Sequence, residues 1–264
     1  MKRRLNPAVV VLLLVATAAC SHWNRVEPGV QYRHIARGDI DVHVTRVDLL
    51  DPSLEIFVPD ESARGLTVGE VSERYDAIVA INGDYFDENL MPVGLSIGTC
   101  GRWESAGSPR RQWILGLAPG RAEILHPESL ESPVPGWIAY AVSGWPALIE
   151  NCRALRSDQL PGSDSFTRAP HPRTAVGLDR TGRTLFLVVA DGRREGVPGM
   201  TLPELARFMR DELGVCSALN LDGGGSSEMV VEGEIVNQPS DGAERPVGNH
   251  LVVTEGPMIP PCTE

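Results

Sequence analysis

The chain has 264 residues with a formal net charge of −11, and 42% of its residues are hydrophobic. This length suffices for one large domain or two small ones. A chain of this size can bury a hydrophobic core that is large enough to fold without disulfides or metals. The acidic balance excludes general nucleic-acid binding, which needs a basic face. Lys2 is the only lysine, so a domain that follows it can use neither Schiff-base chemistry nor a P-loop lysine.

The N-terminal residues have the pattern of a targeting segment. Basic residues 2–4 precede an apolar run over residues 8–16, which is too short to span a bilayer. The small residues Ala18-Ala19 then stand directly before Cys20, as at a bacterial lipoprotein cleavage site. We expect residues 1–19 to be a signal peptide, and lipidation of Cys20 to anchor the exported protein in the cell envelope. The alternative is plain secretion with an unmodified Cys20.

The other cysteines bear on the redox compartment. An exported protein folds in an oxidising environment, which permits disulfides. Four cysteines allow three pairings, and the sequence does not choose among them. Their wide spacing is also unlike a zinc site of the CxxC type. They are Cys100, Cys152, Cys216 and Cys262.

The first half of the chain predicts a β-β-α-β unit. We expect a tether over residues 20–38, followed by one domain over 39–255 and a proline-rich tail over 256–264. Residues 47–58 predict two strands joined by a turn, and Thr67 begins a helix with the capping-box pattern. A strand over 77–81 follows. The stretch 90–170 is rich in Gly, Pro and Trp and predicts short strands and loops.

The second half repeats the order. Residues 176–189 predict two strands joined by a turn, and a capped helix runs from Thr201 to a stop at Gly214. A strand over 217–221 follows. A hairpin over 228–236 and a last strand over 250–254 complete the chain. The sequence therefore predicts a single α+β domain with a mixed β-sheet, few helices and two related β-β-α-β units. Chance similarity of the two units is the alternative.

Each unit ends in an Asn and an Asp, in Asn82-Gly-Asp84 and Asn220-Leu-Asp222. Because related halves pack with matching ends together, we expect Asp84 and Asp222 to face one cleft. Asp222 also opens a run of three glycines, whose amides can approach an anion. This run leads into a hairpin rather than a helix, which argues against nucleotide binding. A plain tight turn is the alternative.

Three arginines stand beside strand ends or loops. Arg193 follows Asp191-Gly at the end of an apolar strand, Arg173 begins a strand, and Arg245 precedes the last one. In an acidic chain, such arginines suggest recognition of a phosphate or carboxylate, which the guanidinium fork suits. The alternatives are surface charges, or an ion pair between Asp191 and Arg193.

Several of these segments, in this order over residues 40–254, resemble the phosphodiester glycosidase family. They are NGDYF at 82–86, HPRTAVG at 171–177, VVADGR at 188–193, GMTLPELA at 199–206, LNLDGGGSS at 219–227 and ERPVGNHLVV at 244–253. The chain departs from the family at Asp84, where a small residue is usual, at Tyr85, where phenylalanine is usual, and at His250, where alanine is common. These departures leave the identity of the substrate open.

The resemblance implies hydrolysis of a sugar-1-phosphodiester, of the N-acetylglucosamine-1-phosphate type, at the anomeric C–O bond. The phosphate monoester leaves as a stable anion, so the larger task is to stabilise its charge. A carboxylate must still activate water or attack the anomeric carbon. The candidate catalytic residues are Asp222 and Asp191, with Asp84 and Glu228 in reserve. The candidate substrate- or phosphate-binding residues are Arg173, Arg193, Arg245, Asn82, Gly223, Gly224, Gly225, Ser226 and Asn249.

No cofactor is expected, although carboxylates and a carbonyl-rich loop are ligands that suit calcium. The expected partners are a carbohydrate phosphodiester and, through the lipid anchor, a membrane. Two other classes stay open. One is an envelope hydrolase that cuts the P–O bond or an ordinary glycan, and the other is a non-catalytic lipoprotein that binds glycans.

Overall fold

The computed structural model describes residues 22–107, 112–129 and 134–256. The strands are β1 (Asn24–Glu27), β2 (Val30–Arg37), β3 (Ile40–Asp48), β4 (Leu54–Phe57), β5 (Val79–Asn82), β6 (Ile97–Gly98), β7 (Gly101–Arg102), β8 (Trp113–Ala118), β9 (Arg121–Leu125), β10 (Tyr140–Gly144), β11 (Ala147–Glu150), β12 (Arg153–Ala154), β13 (Arg173–Asp179), β14 (Thr184–Ala190), β15 (Val215–Asn220), β16 (Met229–Val231), β17 (Glu234–Ile235) and β18 (His250–Glu255). The helices are α1 (Val68–Tyr75), α2 (Asp164–Thr167) and α3 (Leu202–Leu213). The expected signal peptide, Cys20 and Cys262 lie outside the described residues.

The largest sheet has eight strands in the order β1-β2-β3-β14-β13-β15-β11-β12. Its first two strands use residues 24–37, most of the segment that the sequence assigns to a tether. That boundary is therefore wrong, because β2 pairs with β3 along its whole length, from Val30 opposite Val47 to Arg37 opposite Ile40. The folded domain begins no later than residue 24.

Two five-stranded sheets complete the fold, in the orders β7-β6-β10-β8-β9 and β17-β16-β5-β18-β4. The predicted α+β class with few helices is confirmed. Where the sequence predicts one mixed sheet, the strands of the described ranges form three sheets with antiparallel pairing. The predicted hairpin after the glycine run is confirmed as β16 and β17, and the last strand as β18.

The main core lies between the three sheets, where side chains such as Leu187, Leu117 and Ile81 meet. Alternate residues of β14 bury both faces of the large sheet. Leu185 and Leu187 face the main core, while Phe186 and Val188 pack in the cluster that α3 covers. Helix α1 covers the outer face of the β5 sheet in the same way. Burial on both sides holds the ends of β5 and β15 rigidly.

The two β-β-α-β units share their element order and their helix starts. Thr67 and Thr201 each accept from the amide of a glutamate three residues later, and each glutamate reaches back, so both capping boxes are confirmed. The units differ in pairing. In the second unit β13 and β14 form a hairpin, whereas in the first β3 and β4 lie in different sheets.

A disulfide joins Cys152 to Cys216 and closes the edge of the large sheet. It links the turn after β11 to β15, and the amide of Cys152 also donates to the carbonyl of Cys216 at 2.7 Å. Cys100 is disulfide-bonded as well. Within the described ranges, no helix is long and apolar enough to cross a membrane.

Candidate active site

The segments after β5 and β15 meet, although the two strands belong to different sheets. The amide of Asp222 donates to the carbonyl of Gly83 at 3.1 Å. The side-chain Nδ2 of Asn82 donates to the carbonyl of Asp222 at 2.7 Å. Asp84 lies close enough to Asp222 for the charge of one to raise the pKa of the other. The expectation that the two strand ends come together is therefore confirmed.

Asn82 links the two strand ends through its side chain. Its side chain is fully buried, and its Oδ1 accepts from the hydroxyl of Thr174 at 2.7 Å and from the amide of Glu228 at 3.3 Å. With its Nδ2 bound to Asp222, the amide group is engaged on both sides within the protein. The predicted contact of Asn82 with substrate stays a prediction, and the bonds described here give the side chain a structural role as well.

Asn249 plays the same part for Asp84. Its Oδ1 accepts from the amide of Asp84 at 2.7 Å, and its Nδ2 donates to the hydroxyl of Ser96 at 2.7 Å. Asn249 is fully buried, and its predicted contact with substrate likewise stays a prediction. These bonds fix the backbone from which Asp84 projects.

Asp84 itself is buried, with 1% of its surface exposed. Its Oδ1 accepts from the amide of Ser143 at 2.7 Å, and its Oδ2 has no hydrogen-bond partner. Burial raises the pKa of Asp84 well above its usual range, and the nearby charge of Asp222 adds to the effect. Burial therefore favours the neutral form of the Asp84 carboxyl.

Asp222 differs from the other three candidate carboxylates because it is partly exposed. Burial still raises the pKa of Asp222 to about 6, while the hydroxyl of Ser226, the amide of Gly223 and the charge of Arg245 oppose this rise. Ser226, a predicted binding residue, is buried beside it. A partly exposed carboxylate with a pKa of about 6 can act as a base or a nucleophile near neutral pH.

Asp191 is engaged in holding a loop. Its carboxylate accepts from the side chain of Asn237 at 3.1 Å and from the amide of Gln238 at 3.0 Å, and it pairs with Arg194 at 3.3 Å. Only 2% of its side chain is exposed. The structure therefore places this first-choice carboxylate in a positioning role, with its oxygens already occupied.

Glu228 belongs to a second carboxyl pair, on the α1 side of the third sheet. Burial first, and then a hydrogen bond to Glu244, raise the pKa of Glu228 to about 8. Glu244 in turn accepts from the amide of Gly69 at 2.8 Å, in the first turn of α1. These contacts hold Glu228 inside the protein, where it is 2% exposed.

The guanidinium groups of Arg193 and Arg245 lie against the glycine run. A Cβ atom added to Gly224 would stand 2.9 Å from a terminal nitrogen of Arg193, and one added to Gly225 would collide with Arg245. The two guanidinium groups therefore lie in contact with the backbone of the glycine run, in space that a side chain at either glycine would share. The amide of Gly224 donates to the carbonyl of Pro172 at 2.9 Å, so of the predicted amide donors this one is already used.

Arg193 is the most available of the three predicted arginines. It is exposed and forms no ion pair within the described part of the chain, whereas Arg245 pairs with Asp241. The backbone of Arg193 has a φ of 57°, in the left-handed region that side chains rarely adopt. Strain of this kind is often stored where a side chain must be aimed at a ligand.

Arg173 is buried and holds two loops next to the site in place. It is 3% exposed and donates to the carbonyls of Phe166, Ala169 and Met200 at 2.7–3.1 Å. Burial lowers the pKa of Arg173 to about 10, and the positive charge of Arg193 acts in the same direction. The contacts tie two loops together, so the predicted role of Arg173 in holding phosphate is only indirect.

Three aromatic residues, which together form an aromatic wall, and Asn220 were given no functional role by the sequence reasoning, although Tyr85 and Asn220 were both named there. Tyr85, Trp145 and Phe166 are half-buried, with the rings of Trp145 and Phe166 stacked at 5.3 Å. Asn220 donates to the hydroxyl of Tyr85 at 2.6 Å and to the carbonyl of Trp145 at 2.9 Å. The Asn-x-Asp pattern already marked Asn220, but the rings come from separate parts of the chain and gave no local signal.

The departures from the family pattern have different surroundings. Tyr85 contributes to the aromatic wall, whereas His250 is fully buried and its Nε2 lies 3.2 Å from the carbonyl of Leu66, before α1. The expectation that no cofactor is needed stays a prediction, and so does the calcium alternative that the sequence leaves open. Within the described ranges, Asp84, Asp191, Asp222 and Glu228 do not bring three ligand atoms together.

Comparison with known proteins places the chain in a family. The model of the phosphodiester glycosidase family matches residues 75–254. The chain therefore belongs to the phosphodiester glycosidase family, and the resemblance seen in its motifs is confirmed.

Among curated relatives, mouse N-acetylglucosamine-1-phosphodiester alpha-N-acetylglucosaminidase is 29% identical over 218 residues, covering 75% of this chain and 41% of the mouse protein. The prophage-derived protein YomE of Bacillus subtilis is 27% identical over 195 residues, covering 71% of this chain and 29% of YomE. The chain thus spans less than half the length of either relative.

Among solved structures, the catalytic domain of the zebrafish N-acetylglucosamine-1-phosphodiester alpha-N-acetylglucosaminidase, auto-inhibited by its pro-peptide, superimposes with a TM-score of 0.66. It is 24% identical, and the match covers 86% of this chain and 82% of that one. A protein from Synechocystis matches with a TM-score of 0.63 at 16% identity, covering 86% of this chain and 62% of its own. Both matches show the fold.

Proposed function

We propose that this protein hydrolyses a sugar-1-phosphodiester at the anomeric C–O bond. One observation carries the proposal: the guanidinium groups of Arg193 and Arg245 lie against the glycine run that follows Asp222, the partly exposed carboxylate. A carboxylate next to two cations suits a substrate in which an electrophilic carbon is bonded to a phosphate.

The leaving group explains why the site is rich in cations. A phosphate monoester departs as a stable anion, so the reaction needs charge stabilisation more than it needs a strong general acid. Arg193, exposed and without an ion pair in the described part of the chain, is placed to take this charge, and the amide of Gly225 forms no hydrogen bond there. A donor that is aimed at developing charge in a site of this kind is worth roughly 3–4 kcal/mol.

Asp222 supplies the attack, either on the anomeric carbon or through an activated water molecule. It can do so only when ionised, which its pKa of about 6 allows at neutral pH. Asp84 assists by staying neutral, because a second negative charge beside Asp222 would raise the pKa of Asp222 further. The two aspartates therefore divide into one charged and one neutral group.

The aromatic wall gives the sugar a surface to lie on. The rings of Tyr85, Trp145 and Phe166 are apolar on their faces, and Asn220 holds the hydroxyl of Tyr85 in place. Sugar rings have C–H faces that pack on such surfaces. The substrate type comes from the relatives, whose names specify an N-acetylglucosamine-1-phosphodiester.

The test is a panel of sugar-1-phosphate diesters that differ in sugar, anomer and acceptor. We expect multiple turnovers of an N-acetylglucosamine-1-phosphate diester by the full chain, with loss of turnover in Asp222→Asn. Binding without turnover across the panel would favour a glycan-binding lipoprotein. Turnover that survives in Asp222→Asn would contradict the assignment of the reactive carboxylate.

We further propose that the chain is exported and lipidated at Cys20, which lies outside the described residues. The support is the basic segment, short apolar run and small residues that precede this cysteine. Mass spectrometry of protein from the membrane fraction should find an acylated N-terminus at Cys20. A soluble product that begins elsewhere would contradict lipidation and leave secretion intact.

A further inference from the structure

A cluster of two histidines and an aspartate lies on the β2–β3 hairpin, apart from the catalytic carboxylate. His34 and His43 are directly opposite each other in the antiparallel register, and their rings stack at 4.4 Å with an angle of 10° between planes. Asp41 stands two residues before His43, so its side chain is on the same face of the hairpin. The strand register alone therefore brings these three side chains together.

The potential ligand atoms converge on one point. Nε2 of His34 lies 2.6 Å from Oδ1 of Asp41, and Nε2 of His43 lies 3.5 Å from the same oxygen. One ligand atom from each side chain lies within 4.8 Å of the others, and no other group of three such side chains exists in the described ranges. Ligands of one zinc ion are roughly 3–4 Å apart, given bonds of about 2 Å. A small rotation of the exposed His34 ring would bring the three ligand atoms to these separations.

The buried histidine has a partner that can orient it. The hydroxyl of Tyr32 lies 2.8 Å from Nδ1 of His43. When Nε2 of a histidine binds a metal, its other nitrogen carries the proton and donates it to a nearby oxygen, which fixes the ring. Tyr32 is in position to accept that hydrogen bond, so the cluster has both the ligands and the support that metal-binding histidines have in proteins.

The charges around the cluster leave room for a cation. Oδ2 of Asp41 pairs with Arg194, which also pairs with Asp191 at 3.3 Å. One guanidinium therefore serves two carboxylates, and with neutral histidines the group carries a net negative charge. A bound cation would balance this charge, while Oδ1 of Asp41 is free of Arg194 and faces the imidazoles.

We propose that His34, Asp41 and His43 form a binding site for a divalent transition metal ion, for which the two-histidine, one-carboxylate donor set best suits zinc. Three protein ligands leave a fourth position for water. The site lies next to the loop that Asp191 holds, because the amide of Asp191 donates to the carbonyl of Asp41 at 2.9 Å. A metal there would brace the hairpin against this loop, as a structural addition to the proposed reaction.

The test uses the full chain without a polyhistidine tag, stripped of metal and titrated with Zn²⁺ by calorimetry. The test variant is His34→Ala, whose side chain is exposed and whose loss leaves the core intact. The matched control is His126→Ala, an exposed histidine directly after β9, which belongs to another sheet. Cobalt(II) is the second probe, because its visible absorption reports a tetrahedral site.

We expect the wild type and His126→Ala to bind one Zn²⁺ per chain at this site, and His34→Ala to bind it at least about tenfold more weakly. Zinc should raise the Tm of the wild type and not that of His34→Ala, with equal Tm values in chelator showing that the variant folds. The proposal is overturned if the wild type shows no saturable binding. It is equally overturned if His34→Ala binds Zn²⁺ and Co²⁺ as the wild type does, since the cluster would then be an ion pair alone.

Discussion

The ends of β5 and β15 carry the same Asn-x-Asp pattern and use it differently. In both, the asparagine is buried and links separate segments. Asp84, after β5, is 1% exposed and bound to the amide of Ser143, whereas Asp222, after β15, is partly exposed beside the glycine run. One strand end serves as scaffold and the other carries the reactive group. The difference comes from what covers each aspartate.

Neutralising each aspartate in turn tests whether the two strand ends have different roles. Asp222→Asn should lower kcat/KM on a sugar phosphodiester by at least about a thousandfold, because the attacking charge is lost. Asp84→Asn should cost less than about tenfold, since burial raises the pKa of Asp84 and so already favours its neutral form. Steady-state kinetics at pH 7.5 measures both. Equal losses in the two variants would show that the ends share one role.

The second prediction concerns the cation that faces the loop after Asp222. Arg193→Ala should slow hydrolysis of the diester by about a hundredfold to a thousandfold. It should slow an activated aryl glycoside far less, because the aryl oxide has no phosphate for the guanidinium to hold. Arg207→Ala, an exposed arginine on α3, is the control and should leave both rates unchanged. A similar loss on both substrates would contradict the phosphate-holding role.

The third prediction follows from the free-energy cost of ionising the partly buried carboxyl group of Asp222. The folded chain binds the proton of Asp222 more tightly than the unfolded chain, so stability falls as pH rises from about 4 through about 6. Asp222→Asn removes this cost and should raise the free energy of unfolding by about 2–3 kcal/mol at pH 8. Below pH 4 the two proteins should be alike. Thermal unfolding at both pH values is the measurement, and lower stability at pH 8 would contradict the shift.

The smallest expected effect concerns the pH dependence of the rate, which reports the pKa of Asp222. The rate of the wild type should rise with pH through an apparent pKa of about 6, as Asp222 ionises. Because the charge of Arg245 opposes the rise in this pKa, Arg245→Ala should move the profile upward by about half a unit to one unit. A pH–rate profile of kcat/KM tests this. An unchanged or lowered value would show that Arg245 does not act on Asp222.

Local signals in the sequence predict much of this fold. The capping boxes at Thr67 and Thr201, the stop at Gly214 and the turn between β16 and β17 depend on residues a few positions apart, and all are present. Pairing over long distances is different. Strand β3 lies beside β14, with Asp48 opposite Thr184, and no residue near either strand indicates that pairing. The β2–β3 hairpin, by contrast, has a local signal in its two-residue turn Gly38-Asp39, which the sequence reasoning missed.

The site residues also divide into those that a local motif indicates and those whose role depends on distant contacts. Asp222, Arg193 and the glycine run are contiguous or nearly so with a strand end, and the motif indicates them. The occupied state of Asn82 and Asp191 depends on Thr174 and Asn237, which lie 92 and 46 positions away in the chain. The residue type is therefore readable in the sequence, while its freedom to meet a substrate depends on burial that only the fold determines.

The central claim is tested most directly by hydrolysing a defined N-acetylglucosamine-1-phosphate diester in ¹⁸O-labelled water. Cleavage at the anomeric C–O bond places the label on the sugar, because the carbon receives the new oxygen. We expect the label in the released sugar and none in the phosphate monoester. Label in the phosphate would mean attack at phosphorus, and would contradict the assignment of Asp222 to the anomeric carbon and of Arg193 to the leaving group.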